Sequence, residues 1–137
     1  MILDSSAVVS AILQQDDHPR LLRALAVASR VSIGAPTLFE TEIVLIRRYD
    51  RAGSSLIREF LDEHDVAILP FDGRHWDLAA DAFARFGKGR HPARLNYGDC
   101  MTYATARVVG EPLLFIGNDF SRTDLIPALA RGPAVGG

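Results

Sequence analysis

The sequence predicts an α/β fold: a three-layer sandwich with a mainly parallel central sheet flanked by helices. Three observations carry this. Short apolar runs alternate with helix-patterned segments almost throughout the 137 residues, the order expected of linked strand–helix units. The runs "AIL" and "LLFI" are continuous rather than alternating, as expected of strands buried on both faces. The length suits one domain with a real core, and 48% apolar with 23% charged residues is a normal globular balance.

Taken in order, "MILD" predicts a first strand with Asp4 at its C-terminal end. "SSAVVSAIL" sets Val8, Val9, Ile12 and Leu13 at helical spacing. "HPRLLRALAVAS" is helical through Leu21, Leu22, Leu25 and Ala28, with Pro19 near its start. "RVSIGAP" predicts a second strand, broken by Gly34 and Pro36. "TLFETEIVLIRRYD" predicts a helix with an apolar stripe of Phe39, Ile43 and Ile46. Thr37 and Glu40 have capping-box spacing there, and Arg47 and Arg48 suit the last turn. "SSLIREFLDEH" is a further helix and "DVAILPFD" a third strand. "RHWDLAADAFARFG" is amphipathic through Trp76, Ala79, Ala80 and Phe83, and Gly87 stops it. "KGRHPAR" is a basic loop. "NYGDCMTYATARVVG" predicts a helix with Met101, Ala104, Thr105 and Val108 inward, and "EPLLFIG" a fourth strand. Residues 1–128 form the single expected domain; 129–137 read as a mobile tail.

Several function classes fall away. A net charge of −2 argues against a general polyanion binder, though it leaves room for a local basic patch. One cysteine, Cys100, excludes an intrachain disulfide and fits a reducing compartment. No apolar run approaches the roughly 20 residues of a membrane helix. The N-terminus lacks the basic region of a signal peptide. The expectation is a cytoplasmic protein. Ser5 and Ser6 have no nucleophile elbow around them, "GKGRH" is not a phosphate-binding loop, and Cys100 beside Asp99 reads as a small apolar helix residue.

The acids are the informative feature. In a parallel sheet the strand C-termini share one edge, and helix N-termini open there. Asp4 ends the first strand. Glu40 falls in the expected first turn after the second. Asp119 follows the fourth strand by a turn. Asp99 opens a helix running antiparallel to the strands, so it reaches the same edge. Each acid alone also suits a helix cap; Asn96 and Asp99 have the spacing of one. Together they suggest more, because two carboxylates about 5 Å apart repel by roughly 3 kcal/mol at an effective dielectric of about 20. A cluster of four calls for a cation or raised pKa values. His18, His64, His75 and His91 lack paired ligand spacing, and oxygen-only donors suit Mg²⁺ or Mn²⁺.

These residues resemble the PIN-domain ribonucleases, and among them the VapC toxins of bacterial toxin–antitoxin pairs. "MILDSSAVVSAI", "APTLFETEIVL", "LNYGDCMTYATAR" and "EPLLFIGNDFSRTDL" carry the likeness, in order, over nearly all of residues 1–128. The resemblance implies a PIN-like nuclease domain that cuts RNA with Mg²⁺ (Mn²⁺ substituting). By matched motif the metal and catalytic acids are Asp4, Glu40, Asp99 and Asp119. Many relatives place the fourth acid where this chain has Gly117, so Asn118 or Asp119 substitutes; Glu42 competes with Glu40. It further implies a homodimer and inhibition by a VapB-like antitoxin. Within "RFGKGRHPAR", Arg85, Lys88, Arg90 and Arg94 are candidates for holding the RNA backbone, with His91 joining at lower pH. Of these, Arg90 and Arg94 are expected to contact RNA phosphates. Ser6 is expected to bond an RNA phosphate or the Asp4 carboxylate. The competing reading is a non-catalytic PIN-fold module acting through RNA or antitoxin binding. A phosphatase-like domain using Asp4 is disfavoured because Ser6 stands where a second acid is needed.

Overall fold

The computed structural model describes residues 1–129; the expected tail lies, apart from Leu129, outside the described residues. The chain runs β1 (Ile2–Leu3), α1 (Ser5–Ile12), α2 (His18–Val27), β2 (Ser32–Gly34), α3 (Ala35–Tyr49), α4 (Arg51–Glu63), β3 (Ala67–Leu69), α5 (Gly73–Phe86), α6 (Tyr97–Val109) and β4 (Leu113–Leu114). Among the described residues the four strands form one sheet in the order β3-β2-β1-β4. Every pairing is parallel, with Ile2 opposite Ser32 and Leu113, and Ile33 opposite Ile68.

Strand periodicity of two splits the core into the two halves of a sandwich. Ile2 and Leu113 point to one face, where they meet Ala82 and Phe86 of α5 and Tyr103 and Ala106 of α6. Leu3 and Leu114 point to the other, against Val8, Leu21, Leu25, Leu45, Ile57 and Phe60 of α1 to α4. The expected layered parallel fold is therefore present.

Three local expectations need correction. The strand "AIL" is not buried on both faces: β3 is an edge strand, and Ile68 is 52% exposed. The inward face of α3 is Thr37, Thr41 and Leu45, while Phe39 and Ile46 face solvent. On α5 the buried residues are His75, Ala82 and Phe86, while Trp76 and Phe83 are exposed. The reason on α3 is visible: Thr37 Oγ1 meets Thr102 Oγ1 of α6 at 2.9 Å in a buried contact, and the Thr41 hydroxyl donates to the Thr37 carbonyl. A polar seam joins α3 to α6, so hydrophobicity misreports which side faces in. The start of α3 also shifts. It begins at Ala35 with Pro36 in its first turn, where a missing N–H costs nothing. Thr37 and Glu40 form no capping box, and Glu40 sits in the second turn rather than the first.

Glycine sets two close approaches. A Cβ on Gly34 would lie 2.7 Å from Thr105 Oγ1, so glycine lets α6 cross β2 closely. A Cβ on Gly53 would collide with the backbone of Leu45, which fixes the α3–α4 hairpin.

Candidate active site

Asp4 ends β1 and caps α1. Its backbone N–H donates to the Leu114 carbonyl at 3.0 Å, extending the β1–β4 pairing. One carboxylate oxygen, Oδ2, accepts from the Ser6 N–H at 3.1 Å and from the Ser6 hydroxyl at 2.5 Å. The side chain is buried. Burial pushes its carboxyl above the usual value, and the Ser6 bonds oppose that rise. The Ser6 hydroxyl in turn accepts from the Ile116 N–H at 3.0 Å. Ser6 thus ties Asp4 to the chain leaving β4.

Asp99 sits at the third position of α6, in a reciprocal capping box. The Asp99 N–H donates to Asn96 Oδ1 at 2.8 Å, and the Asn96 N–H donates to Asp99 Oδ2 at 3.0 Å. Such a cap normally favours the carboxylate. Instead the Asp99 carboxyl is pushed up to about 6, first by burial and then by the charges of Asp119, Asp4 and Glu40. The four acids expected to converge therefore act on one another electrostatically.

Glu40 reaches this place through a contact. A Cβ on Gly98 would collide with the Glu40 carboxylate, so the acid lies against the first turn of α6, one residue from Asp99. Among the described residues Glu40 makes no hydrogen bond or ion pair. Glu42, its competitor, is committed elsewhere: its carboxyl is held below the usual range by Ser54 and by Arg58, which lies 3.2 Å away.

Asp99 and Asp119 open into one cleft of about 420 Å³, with Asn118 alongside. Lys88, Arg94 and Arg122 line the same cleft, and none of the three makes an ion pair among the described residues. Gly117 has φ +97°, a conformation that side chains rarely adopt. The position where many relatives carry their fourth acid is thus a glycine turn here. Neither Asp4 nor Glu40 lines this cleft. Among the described residues, no group of three or more His, Cys, Asp or Glu side chains stands ready to hold a metal ion. The donor chemistry nonetheless fits a hard divalent cation: oxygen ligands only, with the Asp99 carboxyl raised by burial and further by the other three acids.

The basic loop divides. Arg94 lines the acid cleft, at φ +55°. Arg90 lines a shallower hollow beside it and donates through Nε to the Ala84 carbonyl at 3.2 Å. Arg85 bridges Asp81 and Asp124, whose other oxygen accepts from the Tyr103 hydroxyl at 2.6 Å. Sequence reasoning missed Arg122, Gly98 and the threonine seam. Arg122 lies in an irregular loop without periodicity; its one signal is standing three residues after Asp119.

The PIN domain family model matches residues 1–126. The chain belongs to the PIN-domain family. Its relatives within that family are VapC ribonucleases. Ribonuclease VapC36 of Mycobacterium tuberculosis is 43% identical over 126 residues, covering 91% of each chain. Ribonuclease VapC of Mycolicibacterium smegmatis is 38% identical over 125 residues, covering 91% of this chain and 97% of the relative. Among solved structures, VapC20 of M. tuberculosis, a sarcin–ricin loop cleaving toxin, has the same fold, with a TM-score of 0.74 at 18% identity over 91% of this chain and 95% of that one. VapBC2 from Rickettsia felis, bound to a promoter DNA fragment, gives 0.73 at 16% identity over 92% and 94%. No helix among the described residues of this PIN domain is long and apolar enough to cross a membrane.

Proposed function

We propose that this chain is a metal-dependent ribonuclease toxin of the VapC type, hydrolysing RNA phosphodiester bonds and neutralised by a VapB-like antitoxin. The observation that carries the reading is a cleft that Asp99 and Asp119 share with Lys88, Arg94 and Arg122, three cations without an ion pair among the described residues, while Asp4 and Glu40 act on Asp99 from outside it. Polyanion-binding groups beside a repelling acid cluster suit a phosphodiester and a cation better than either alone.

In this reading Asp4, Asp99 and Asp119 hold Mg²⁺, or Mn²⁺ in its place, and Glu40 completes the set. When bound, the cation supplies a Lewis acid that polarises the phosphate and lowers the pKa of water. Lys88, Arg94 and Arg122 grip the phosphates and offset their charge. The Asn96 N–H, bonded to Asp99 Oδ2, fixes the carboxylate that would hold the cation, and Glu40 would orient the attacking water, whose proton passes to solvent. A new P–O bond forms and the bond to the 3′ oxygen breaks. That oxygen takes up a proton, leaving 5′-phosphate and 3′-hydroxyl ends. Ser6 keeps Asp4 oriented. The protein acts as a homodimer in this reading.

The test is to incubate partner-free protein with cellular RNA and Mg²⁺ and to map the cut ends. Cleavage should stop with chelator. Millimolar Mg²⁺ should also raise the melting temperature, by mass action on the folded state, and less so in Asp4→Asn. Gly117, standing where relatives carry an acid, favours the non-catalytic module instead. That module predicts RNA or antitoxin binding with no cut ends at any metal concentration.

A further inference from the structure

Two aromatic rings beside the acid cluster are left in water. Tyr97 is 79% exposed and Phe39 is 67% exposed. Each adjoins in sequence one partner of the Glu40–Gly98 contact: Phe39 precedes Glu40, and Tyr97 precedes Gly98. Tyr97 also follows Asn96, which lines the acid cleft. Trp76 and Phe83 of α5 are exposed as well, on a helix that carries none of the four acids, whereas several other rings are paired. Phe86 packs on Tyr103, Phe115 on Phe120, and Phe60 on His64. Phe39 and Tyr97 meet no other ring among the described residues. Exposed apolar area forgoes about 25 cal/mol per Å². A single exposed ring is ordinary. These two stand on turns of α3 and α6 that the Glu40–Gly98 contact brings together, and Tyr97 follows directly on Asn96 of the cation-lined cleft.

We propose that Tyr97 and Phe39 are a stacking platform for unpaired bases of the RNA whose backbone Lys88, Arg94 and Arg122 hold. The proposal rests on the ribonuclease reading. The choice of occupant comes from charge: cations without ion-pair partners line the neighbouring cleft, so the strand drawn there is a polyanion. A nucleobase is the apolar, flat group that such a strand brings with it. Rings stack on bases of any sequence, because every base has a π-face. The platform therefore selects unpaired over paired RNA and sets where along a loop the phosphate enters the acid cleft. The Tyr97 hydroxyl is not needed for this; the ring is.

The probe is an unstructured RNA strand, compared with a strand of the same length lacking its bases, both bound in chelator so that nothing is cut. Tyr97→Ala and Phe39→Ala should each weaken the base-bearing strand by about 5- to 100-fold. Both should bind the baseless strand as wild type does, with the same salt dependence. Tyr97→Phe, which keeps the ring, should match wild type, and Tyr97→Leu, which keeps only apolar bulk, should not. Equal loss on both strands, or no loss on either, overturns the platform while leaving the ribonuclease reading in place. A loss of self-association or antitoxin capture with RNA affinity unchanged also overturns it, and assigns the rings to a protein interface. Wild-type protein that neither binds nor cuts RNA overturns the ribonuclease reading, and the platform with it.

Discussion

Two helices of this protein open with the same device and carry opposite electrostatics. At α5, Asp72 Oδ1 accepts from the Arg74 N–H at 3.0 Å, and the Asp72 N–H donates to His75 Nδ1 at 3.1 Å. At α6, Asn96 and Asp99 exchange the equivalent pair. The Asp72 carboxyl is held below its usual value, chiefly by His75. The Asp99 carboxyl is driven up to about 6. Capping favours a carboxylate, and at α5 the His75 side chain adds to that effect. The rise at α6 measures what burial and three other acids add. A cap explains where Asp99 is, and it does not explain its charge.

The largest expected difference between the two starts is catalytic. Asp99→Asn should keep the fold and abolish RNA cleavage, because Asn keeps the size and loses the charge that would hold the cation. Asp72→Asn should leave cleavage unchanged. Equal cleavage by folded Asp99→Asn and wild-type protein would reduce α6 to a second structural cap. Next in size is Gly98→Ala. The added methyl displaces the Glu40 carboxylate, the free end of a flexible half-buried side chain, so the fold should lose little, under about 1 kcal/mol, while Glu40 leaves the acid cluster. Denaturant melts should be nearly unchanged while cleavage weakens. A Gly98→Ala protein as active as wild type would mean that Glu40 does not act from its place at α6.

Titration gives a smaller effect. Folded Asp99 keeps its proton up to about 6, whereas the unfolded chain releases it above 3.8. The folded state therefore binds more protons between these values, and stability falls as pH rises through that window. Asp99 is partly exposed, so solvent screening keeps its share below about 2 kcal/mol. Comparing wild type with Asp99→Asn across the window isolates it: the difference should grow toward pH 6 and then level off. Asp72 runs the other way, its contribution present above 3.8 and lost as pH falls below that value. The smallest effect concerns the cations. Arg94→Ala and Arg122→Ala should each flatten the salt dependence of RNA binding by roughly 0.7 in slope. Arg90→Ala should change it less, since its Nε is already bonded to Ala84. A larger change at Arg90 would move the RNA path to the neighbouring hollow.

Much of this was readable before any coordinates. The alternation of elements gave the parallel sheet, the position of Asp4 after "MIL" placed it at a strand end, and the Asn96–Asp99 spacing announced a cap. What failed was the facing of α3 and α5. Phe39, Ile46, Trp76 and Phe83 have the periodicity of a core, yet they are exposed. Thr37 and Thr41 look like surface residues, yet they are buried. Periodicity finds an apolar stripe and does not say whether its own chain covers it. The polar seam between α3 and α6 depends on matching hydroxyls 65 residues apart, and no local window contains both. Arg122 escaped for a similar reason: a loop residue earns its place from the cleft it borders, which exists only in three dimensions.

The position of β1 has a consequence in time. It is made first, yet it lies inside the sheet between β2 and β4, and its pairing with Leu113 and Leu114 waits for nearly the whole chain. The Asp4 N–H has no strand partner until Leu114 has left the ribosome. Asp119 and Arg122 emerge later still. At roughly 5–20 residues per second, several seconds of synthesis pass in which the nascent chain has helices but no assembled acid cluster. Strand order thus delays assembly of the acid cluster until translation of the domain is almost finished.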